Sequence, residues 1–315
     1  MNDLQKLAAS YINSGGFSDK PSAVVFDKPF TNRTGFQQLR SIADRTGIQN
    51  YGTGRPFSPT SLKEIRKHPL KYVEYVKEKP KTEAERLDDF YNPRKSHFAI
   101  GEVFEDLLRY GMEYVLDTKF DLIEGSIAAG LKTAAHDKGK KCVRMDDWQT
   151  CLRMHFAVKE YAPEYVERLR DSAFEAPAFG NIDVGPNQIL VSGFLDGFHA
   201  ETEYATDIKT IDKISEAYDR VFDKPWGAFH YWMQPATYHG RHNFETFEFM
   251  FVSKADVPDI MFITFTRSEL DELHEYLKET VLSEAAYYLE NGFQMKCNDY
   301  RKGFPRIRPA VRMPM

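Results

Sequence analysis

The sequence predicts a mixed α/β or α+β domain, and three observations lead to that prediction. Apolar residues recur with a helical period over much of the chain before residue 170. Residues 188–210 are rich in Val, Ile, Phe and Tyr with turn residues between them, a texture typical of strands. A helix, further strands and a last helix follow up to residue 291. This order of elements indicates a central mixed β-sheet flanked by helices.

The first helical patterns have recognisable ends. The cluster Ser58-Pro59-Thr60-Ser61 is typical of a helix start, and Pro69 closes or kinks the helix that follows. A longer helix is expected from Ser96 to Leu116, with Ser96 as its cap. The remaining elements are expected in this order: a helix from Met145 to Arg170, strands within Gln188 to Thr210, a helix from about Pro225 to His239, strands Thr246–Val252 and Ile260–Phe265, and a final helix Ser268–Asn291.

The helix predicted from Ser96 has two distinct faces. At 100° per residue its apolar side comprises Ile100, Phe104, Leu107 and Leu108. Glu102, Asp106 and Arg109 fall on the other side, and Glu105 lies at the border. A border position is compatible with a side chain that points into a cleft.

Composition narrows the class of protein. The chain has 315 residues, of which 42% are hydrophobic, and only 3 cysteines, so disorder and a disulfide scaffold are excluded. No apolar run approaches the length of a membrane span, and the first residues do not resemble a signal peptide. We therefore expect a cytoplasmic protein with no membrane partner.

Charge is unevenly distributed along the chain. The net charge is −5, yet the segment RKGFPRIRPAVRMPM at the C-terminus holds five Arg or Lys residues and no acid. We divide the chain into an N-terminal accessory segment of unknown role (1–56), a main domain (57–295) and a basic C-terminal tail (296–315).

The chemistry is predicted to lie in one hairpin. If its turn is at Glu201-Thr202, Asp196 lies directly opposite Asp207, and Lys209 projects from the same strand face as Asp207. Like charges about 5 Å apart across a pair of strands destabilise it unless a cation lies between them. Carboxylate oxygens suit Mg²⁺ or Mn²⁺, and a lysine can orient water or stabilise an oxyanion. The alternative is that the two acids are exposed and Lys209 is merely their salt-bridge partner.

The same residues resemble the signature of the PD-(D/E)XK nuclease superfamily, whose core is restriction-endonuclease-like. Asp196-Gly197 and then Asp207-Ile208-Lys209-Thr210 carry the likeness. Within the superfamily the chain is similar to phage-type recombination exonucleases of the RecE (exonuclease VIII) group and, more distantly, to lambda exonuclease. Further similar stretches are Phe57–Ile65 with His68-Pro69, Ile100–Leu108, Cys142–Trp148 and the Q-x-x-x-Y motif Gln234–Tyr238.

The resemblance implies a role for each matching position. Glu105, Asp196, Asp207 and the backbone carbonyl of Ile208 would bind Mg²⁺ or Mn²⁺, with two ions per site. Lys209 would be the catalytic lysine. Gln234 and Tyr238, one helical turn apart, would steady the lysine, the site or the DNA. Ser61 and Lys213 are predicted phosphate contacts by analogy.

Some residues depart from the family pattern or have a simpler interpretation. Pro235 lies inside the Q-x-x-x-Y helix and should kink it. Some relatives hold an iron–sulfur cluster with three late cysteines; only Cys297 lies late here, so no such cluster is expected. Cys142 and Cys151 are expected to be ordinary thiols. The spacing of His230, His239 and His242 matches no zinc motif.

The function implied by the resemblance is a metal-dependent exonuclease acting on double-stranded DNA, with 5′-to-3′ polarity. It would leave 3′ single strands for an annealing protein, and its subunits would form a homo-oligomeric ring, a trimer or tetramer. The implied setting is a bacterial cell with a phage or prophage gene. Two alternatives stay open: a single-strand nuclease or endonuclease of the same fold, and a non-catalytic DNA-binding protein.

Overall fold

The computed structural model describes residues 57–67, 83–91, 96–222, 230–242, 244–291 and 310–312. The described helices are α1 (Pro59–Lys67), α2 (Glu83–Tyr91), α3 (Ser96–Tyr110), α4 (Met112–Thr118), α5 (Ala129–His136), α6 (Met145–Tyr161), α7 (Pro163–Arg170), α8 (Ala217–Phe222), α9 (Met233–His242), α10 (Arg267–Leu277) and α11 (Ser283–Asn291). The described strands are β1 (Phe120–Ile123), β2 (Lys141–Arg144), β3 (Ala176–Val184), β4 (Asn187–Leu195), β5 (Gly197–His199), β6 (Tyr204–Ile211), β7 (Thr246–Ser253), β8 (Ile260–Thr266) and β9 (Ala310–Arg312).

The main sheet has five strands in the order β5-β6-β7-β8-β9. Strands β6 and β7 run parallel, and the other neighbours are antiparallel. A long antiparallel pair, β3 and β4, and a short parallel pair, β1 and β2, complete the described strands. The predicted class, a mixed sheet flanked by helices, is confirmed.

Helices cover both faces of the main sheet. Strand β7 shows this arrangement. Its consecutive residues Phe249 and Met250 point to opposite faces of the sheet, and both are fully buried, in different hydrophobic clusters. The cluster around Phe249 includes residues of α1, α9, α10 and the β3–β4 pair. The cluster around Met250 includes residues of α2, α3, α6 and α7. Strands buried on both faces read as nearly continuous apolar runs, as β7 does.

Two predicted long helices are interrupted. The helix expected from Ser96 to Leu116 ends at Tyr110, because Gly111 adopts a φ of 76° that a continuous helix does not allow. The helix expected from Met145 to Arg170 is interrupted at Ala162, immediately before Pro163, which then occupies the first position of α7. The final helix is confirmed, with a π-helical turn at Lys278–Leu282 between α10 and α11. Strand β3 was not predicted.

The kink expected at Pro235 is wrong for a local reason. Helix α9 begins at Met233, so Pro235 lies in its first turn. Backbone N–H groups in a first turn have no partner within the helix, and a missing donor there breaks nothing. Pro225 itself, like Pro69, lies outside the described residues.

Part of the basic tail belongs to the sheet. Residues 310–312 form β9, which pairs with β8 as Ile263 opposite Val311. Residues 1–56 and 296–309 lie outside the described part of the chain. None of the described helices combines the length and apolar character needed to cross a membrane.

Candidate active site

The predicted hairpin register is confirmed. Strands β5 and β6 pair Gly197 with Thr206, so the turn is centred on Glu201-Thr202. Asp196 occupies the bend between β4 and β5, one residue before this pairing begins. Its Oδ2 accepts a hydrogen bond of 2.8 Å from the backbone N–H of Ile208 on β6. The two acids therefore lie on adjacent segments, held in register by backbone pairing and by this bond.

Asp207 is buried, with a residue exposure of 2%. Its Oδ1 accepts a hydrogen bond of 3.0 Å from Gln234 Nε2, and its Oδ2 contacts the ammonium group of Lys209. The pKa of Asp207 is raised to about 7, mainly by burial and also by the charge of Asp196, while Lys209 opposes the shift. Ile208 between them faces the opposite cluster of the core, as the strand period requires.

Lys209 is held as a cation. Burial alone would lower its pKa, but the carboxylates of Asp207 and Asp196 raise it overall. Its Nζ also lies 5.5 Å from the ring centroid of Tyr231. The ammonium group therefore has one carboxylate contact and one aromatic face, and it stays protonated at neutral pH.

Glu105 on α3 lies at the border of its helix, as predicted, with its side chain 28% exposed. Its Oε2 is 3.3 Å from Arg109 Nη2. Burial raises the pKa of Glu105 well above its usual value, and the neighbouring charges of Asp196 and Asp207 add to the rise. These interactions connect Glu105 to the acids of the hairpin.

The helix faces assigned from the sequence need one correction. The helical period predicts Arg109 and Asp106 on the side away from the core, yet the Arg109 side chain is only 6% exposed and the Asp106 residue 8%. Arg109 Nη2 lies 3.8 Å from Asp196 Oδ1, and Nη1 lies 3.7 Å from Glu175 Oε1. Sequence reasoning missed both Arg109 and Glu175. The one local signal is the i,i+4 spacing of Glu105 and Arg109, which brings these two side chains together on α3.

Gln234 and Tyr238 lie on α9 as predicted, one turn apart. Tyr238 is 4% exposed, and its ring packs directly on Gly193 of β4, so closely that a Cβ on Gly193 would overlap it. Burial raises the pKa of the Tyr238 hydroxyl, and Gln234 donates a hydrogen bond that opposes the rise. Tyr238 thus fixes the distance between α9 and β4, and that distance brings Gln234 to Asp207.

Ser61 and Lys213, the two predicted phosphate contacts, differ in exposure: Ser61 is buried and Lys213 is exposed. The Ser61 hydroxyl accepts a hydrogen bond of 2.8 Å from the N–H of Ser58 while Ser58 Oγ accepts one of 3.2 Å from the N–H of Ser61. Ser61 is 4% exposed and lies in the first turn of α1, where it completes a reciprocal capping pair with Ser58. Lys213 is exposed at the end of β6. Both phosphate contacts stay predictions.

The histidines and cysteines have other surroundings. His239 Nε2 lies 2.8 Å from Asp271 Oδ1, and His242 Nε2 lies 2.9 Å from the carbonyl of Pro177. Cys142 and Cys151 are free and buried. Cys297 lies outside the described residues.

The donor set has the chemistry of a magnesium or manganese site: three carboxylates and no soft ligand, with burial and the charge of Asp196 raising the pKa values of Glu105 and Asp207. The side chains do not form a ready cage: within the described ranges, no three His, Cys, Asp or Glu residues are grouped so that they could hold a metal ion. The guanidinium of Arg109 reaches Glu105 and Asp196, and the ammonium of Lys209 reaches Asp207. The residues fit such an ion by type and by electrostatics.

Known proteins provide distant structural likenesses and no family match. No protein-family model matches the sequence, and no curated protein matches it. A solved structure named "Putative exonuclease" from Eubacterium rectale has a TM-score of 0.49 and 12% identity, over 89% of this chain and 96% of that one. A phage related exonuclease from Haemophilus somnus 129PT has a TM-score of 0.32 and 14% identity, over 75% and 94%. At these scores the likenesses carry no argument for function, which has to come from the site itself.

Proposed function

We propose that this chain is a metal-dependent deoxyribonuclease, an exonuclease that hydrolyses phosphodiester bonds of double-stranded DNA. The observation that carries the proposal is the geometry of one hairpin. Asp196 and Asp207 lie on adjacent segments, and Lys209 contacts Asp207 from the same strand face. The charges of both acids raise the pKa of Glu105 on α3. This is the arrangement that the PD-(D/E)XK resemblance implies.

A purely structural ion pair is a poorer explanation of the same residues. Burial and repulsion from neighbouring carboxylates raise the pKa values of Glu105 and Asp207. The fold therefore places these side chains where their ionised forms are disfavoured. An ion pair with Lys209 needs one carboxylate, and the site holds more than one. Perturbed acids of this kind cluster at functional sites.

Each residue then has a role. Glu105, Asp196, Asp207 and the carbonyl of Ile208 would hold one or two Mg²⁺ or Mn²⁺ ions. The bound ion supplies positive charge beside the scissile phosphate and acidifies water. Lys209 is kept protonated by Asp207 and Asp196. It donates a hydrogen bond to the attacking water or to the phosphate oxygen on which charge develops. Gln234 orients Asp207 through its 3.0 Å hydrogen bond.

Polarity, assembly and partner are proposed from the resemblance alone. They comprise 5′-to-3′ digestion, a homo-oligomeric ring of three or four subunits around the DNA, and a single-strand annealing protein that takes the product. A phage or prophage gene in a bacterial cytoplasm is the corresponding setting.

The direct test is a digestion assay with end-labelled linear duplex and closed circular DNA, with Mg²⁺ or with a chelator. We expect degradation of the linear DNA only, and only with metal. Lys209→Ala should lower the rate by about 10²–10³, as loss of one charge-stabilising donor does in other enzymes. Lys138→Ala is the matched control, because Lys138 is 63% exposed and pairs with Asp121, and its rate should equal that of the unaltered chain.

The outcomes separate the alternatives. Cleavage of closed circles would indicate an endonuclease, and preference for single strands a single-strand nuclease of the same fold. DNA binding without any cleavage would favour the non-catalytic protein. Full activity of Lys209→Ala, or activity without a divalent ion, would contradict the proposed mechanism.

A further inference from the structure

Arg109 has an unusual environment for an arginine beside an acidic centre. Its guanidinium lies 3.3 Å from Glu105 Oε2, 3.8 Å from Asp196 Oδ1 and 3.7 Å from Glu175 Oε1. Nη2 also donates a hydrogen bond of 3.4 Å to the carbonyl of Asp196. The ring of Phe174 lies on another side, with its centroid 5.1 Å from Cζ. One cation therefore contacts three carboxylates that belong to different segments of the chain.

The position of Arg109 does not suit a grip on DNA. Its side chain is 6% exposed, and the guanidinium contacts carboxylates, a backbone carbonyl and an aromatic ring, so little of it is open to a phosphate. Its Nε is buried with no hydrogen-bond partner among the described residues.

The contacts fall on the atoms that a metal ion would need. Oδ2 of Asp196 accepts the hydrogen bond from the N–H of Ile208, so Oδ1 is the oxygen left for a further ligand, and Arg109 Nη2 lies 3.8 Å from it. Arg109 Nη2 also lies 3.3 Å from Glu105 Oε2. A guanidinium and a divalent ion cannot both lie between these two oxygens. In the structure the guanidinium contacts both oxygens, and within the described ranges no three such ligands are grouped around an ion site.

Glu175 provides an alternative partner for the displaced guanidinium. It lies in the turn before β3 with a φ of 51°, and its side chain is 51% exposed. Nη1 of Arg109 already contacts it, while Nη2 contacts the other two carboxylates. A rotation of the guanidinium towards Glu175 would release Glu105 and Asp196 and keep the charge of Arg109 paired.

We propose that Arg109 is the resident counter-ion of this acidic centre, and that a divalent cation binds Glu105 and Asp196 by displacing the guanidinium towards Glu175. The inference rests on the metal centre of the proposed function. Arg109 is then a positioning residue that keeps the acidic ligands paired in the metal-free protein and competes with the ion for them.

The test is a calorimetric titration of Mn²⁺ into the metal-free, DNA-free full chain. Arg109→Gln should tighten binding by about tenfold, within the usual range of coupling between two ligands of one site. Glu175→Gln should weaken binding, because Arg109 then has only Glu105 and Asp196 as partners. In the Arg109→Gln background Glu175→Gln should have no further effect. Arg153→Gln, at an arginine that pairs with the exposed Asp256, is the matched control and should bind like the unaltered chain.

Thermal unfolding gives a second measurement. Arg109→Gln should unfold at a lower temperature than the unaltered chain without metal, and Mn²⁺ should reduce that difference. If Arg109→Gln does not fold, Glu175→Gln still tests the proposal, since Glu175 is half exposed.

Two results would overturn parts of this inference, and a third would overturn the metal centre on which it rests. Equal or weaker Mn²⁺ binding by Arg109→Gln would overturn the competition, and an equal effect of Glu175→Gln in both backgrounds would overturn the role of Glu175. Binding that Asp196→Asn fails to weaken would instead overturn the proposed metal centre, and this inference with it.

Discussion

At the scale of single residues, neighbours on one helix meet different environments. Glu105 faces the acids of the hairpin, whereas Asp106, the next residue of α3, is buried beside Lys119 at 3.8 Å. Burial raises the pKa of Asp106 to about 6, although Lys119 opposes the shift. The ion pair therefore compensates only part of the cost of burying this carboxylate.

The raised pKa of Asp106 predicts a pH dependence of stability. Between about pH 4 and pH 6 the folded chain holds this proton and the unfolded chain loses it, so the free energy of unfolding falls as pH rises through that window. Asp106→Asn should remove the penalty and be more stable than the unaltered chain at pH 8, by about 1–3 kcal/mol.

The measurement is urea unfolding of the metal-free chain from pH 4.5 to pH 8. The difference between the two chains should grow up to about pH 7 and then stay constant. Asp256→Asn is the control, because Asp256 is fully exposed and should change little. If Asp106→Asn is less stable at pH 8, the attraction of Lys119 outweighs burial and the prediction fails.

At the scale of elements, the site depends on the contact between α9 and β4. The ring of Tyr238 on α9 rests on Gly193 of β4, where any side chain would overlap it. The same helix carries Gln234 to Asp207. A glycine without a chemical role therefore decides whether the amide reaches the carboxylate.

Gly193→Ala is expected to lower both stability and nuclease activity. The added methyl group must displace Tyr238, which costs about 1–3 kcal/mol for an overpacked core and moves Gln234 from Asp207. Chemical unfolding and the end-labelled duplex assay measure the two effects. Gly101→Ala is the control: a Cβ there meets nothing within 4 Å, and alanine in a helix should stabilise the chain by about 0.5–1 kcal/mol.

A double-mutant cycle identifies the cause. In the presence of Tyr238→Ala the penalty of Gly193→Ala should largely disappear, since the overlapping ring is gone. An unchanged penalty in that background would show that the alanine acts through the strand and not through Tyr238.

At the scale of the whole molecule, the C-terminal tail combines two properties. Residues 310–312 pair with β8 and cover what would otherwise be an open sheet edge. The segment before them is rich in Arg and Lys, which offsets locally a net charge of −5. Strand pairing and positive charge can therefore be tested separately.

Two variants should separate these properties. Deletion of residues 309–315 should lower the unfolding temperature and promote association, because the edge of β8 is exposed. If the proposed function holds, replacing Arg301, Lys302, Arg306 and Arg308 with Gln should weaken DNA binding. Its salt dependence should become shallower by up to about 0.9 per lost phosphate contact. Equal salt slopes for this variant and the unaltered chain would exclude a DNA role for these residues.

The sequence by itself determined the hairpin and its three central residues. Strand alternation and the position of the turn are local properties, so the hairpin register could be predicted, and β5 and β6 pair in that register, with Asp196 in the bend just before the pairing begins. The mixed sheet flanked by helices was predictable for the same reason, since its elements have readable periods. Helix boundaries at Gly111 and Met233 were less predictable, because tertiary packing competes with local preference there.

Only the tertiary structure decided what surrounds those three residues. Arg109 lies far along the chain from both Asp196 and Glu175, and nothing in their spacing indicates that they meet. The burial of Asp106 and the contact of Tyr238 with Gly193 likewise depend on how helices pack against strands. Contacts between distant segments are set by the packing of the whole core, which local periodicity does not encode, and they place the counter-ion and the supporting residues around the site.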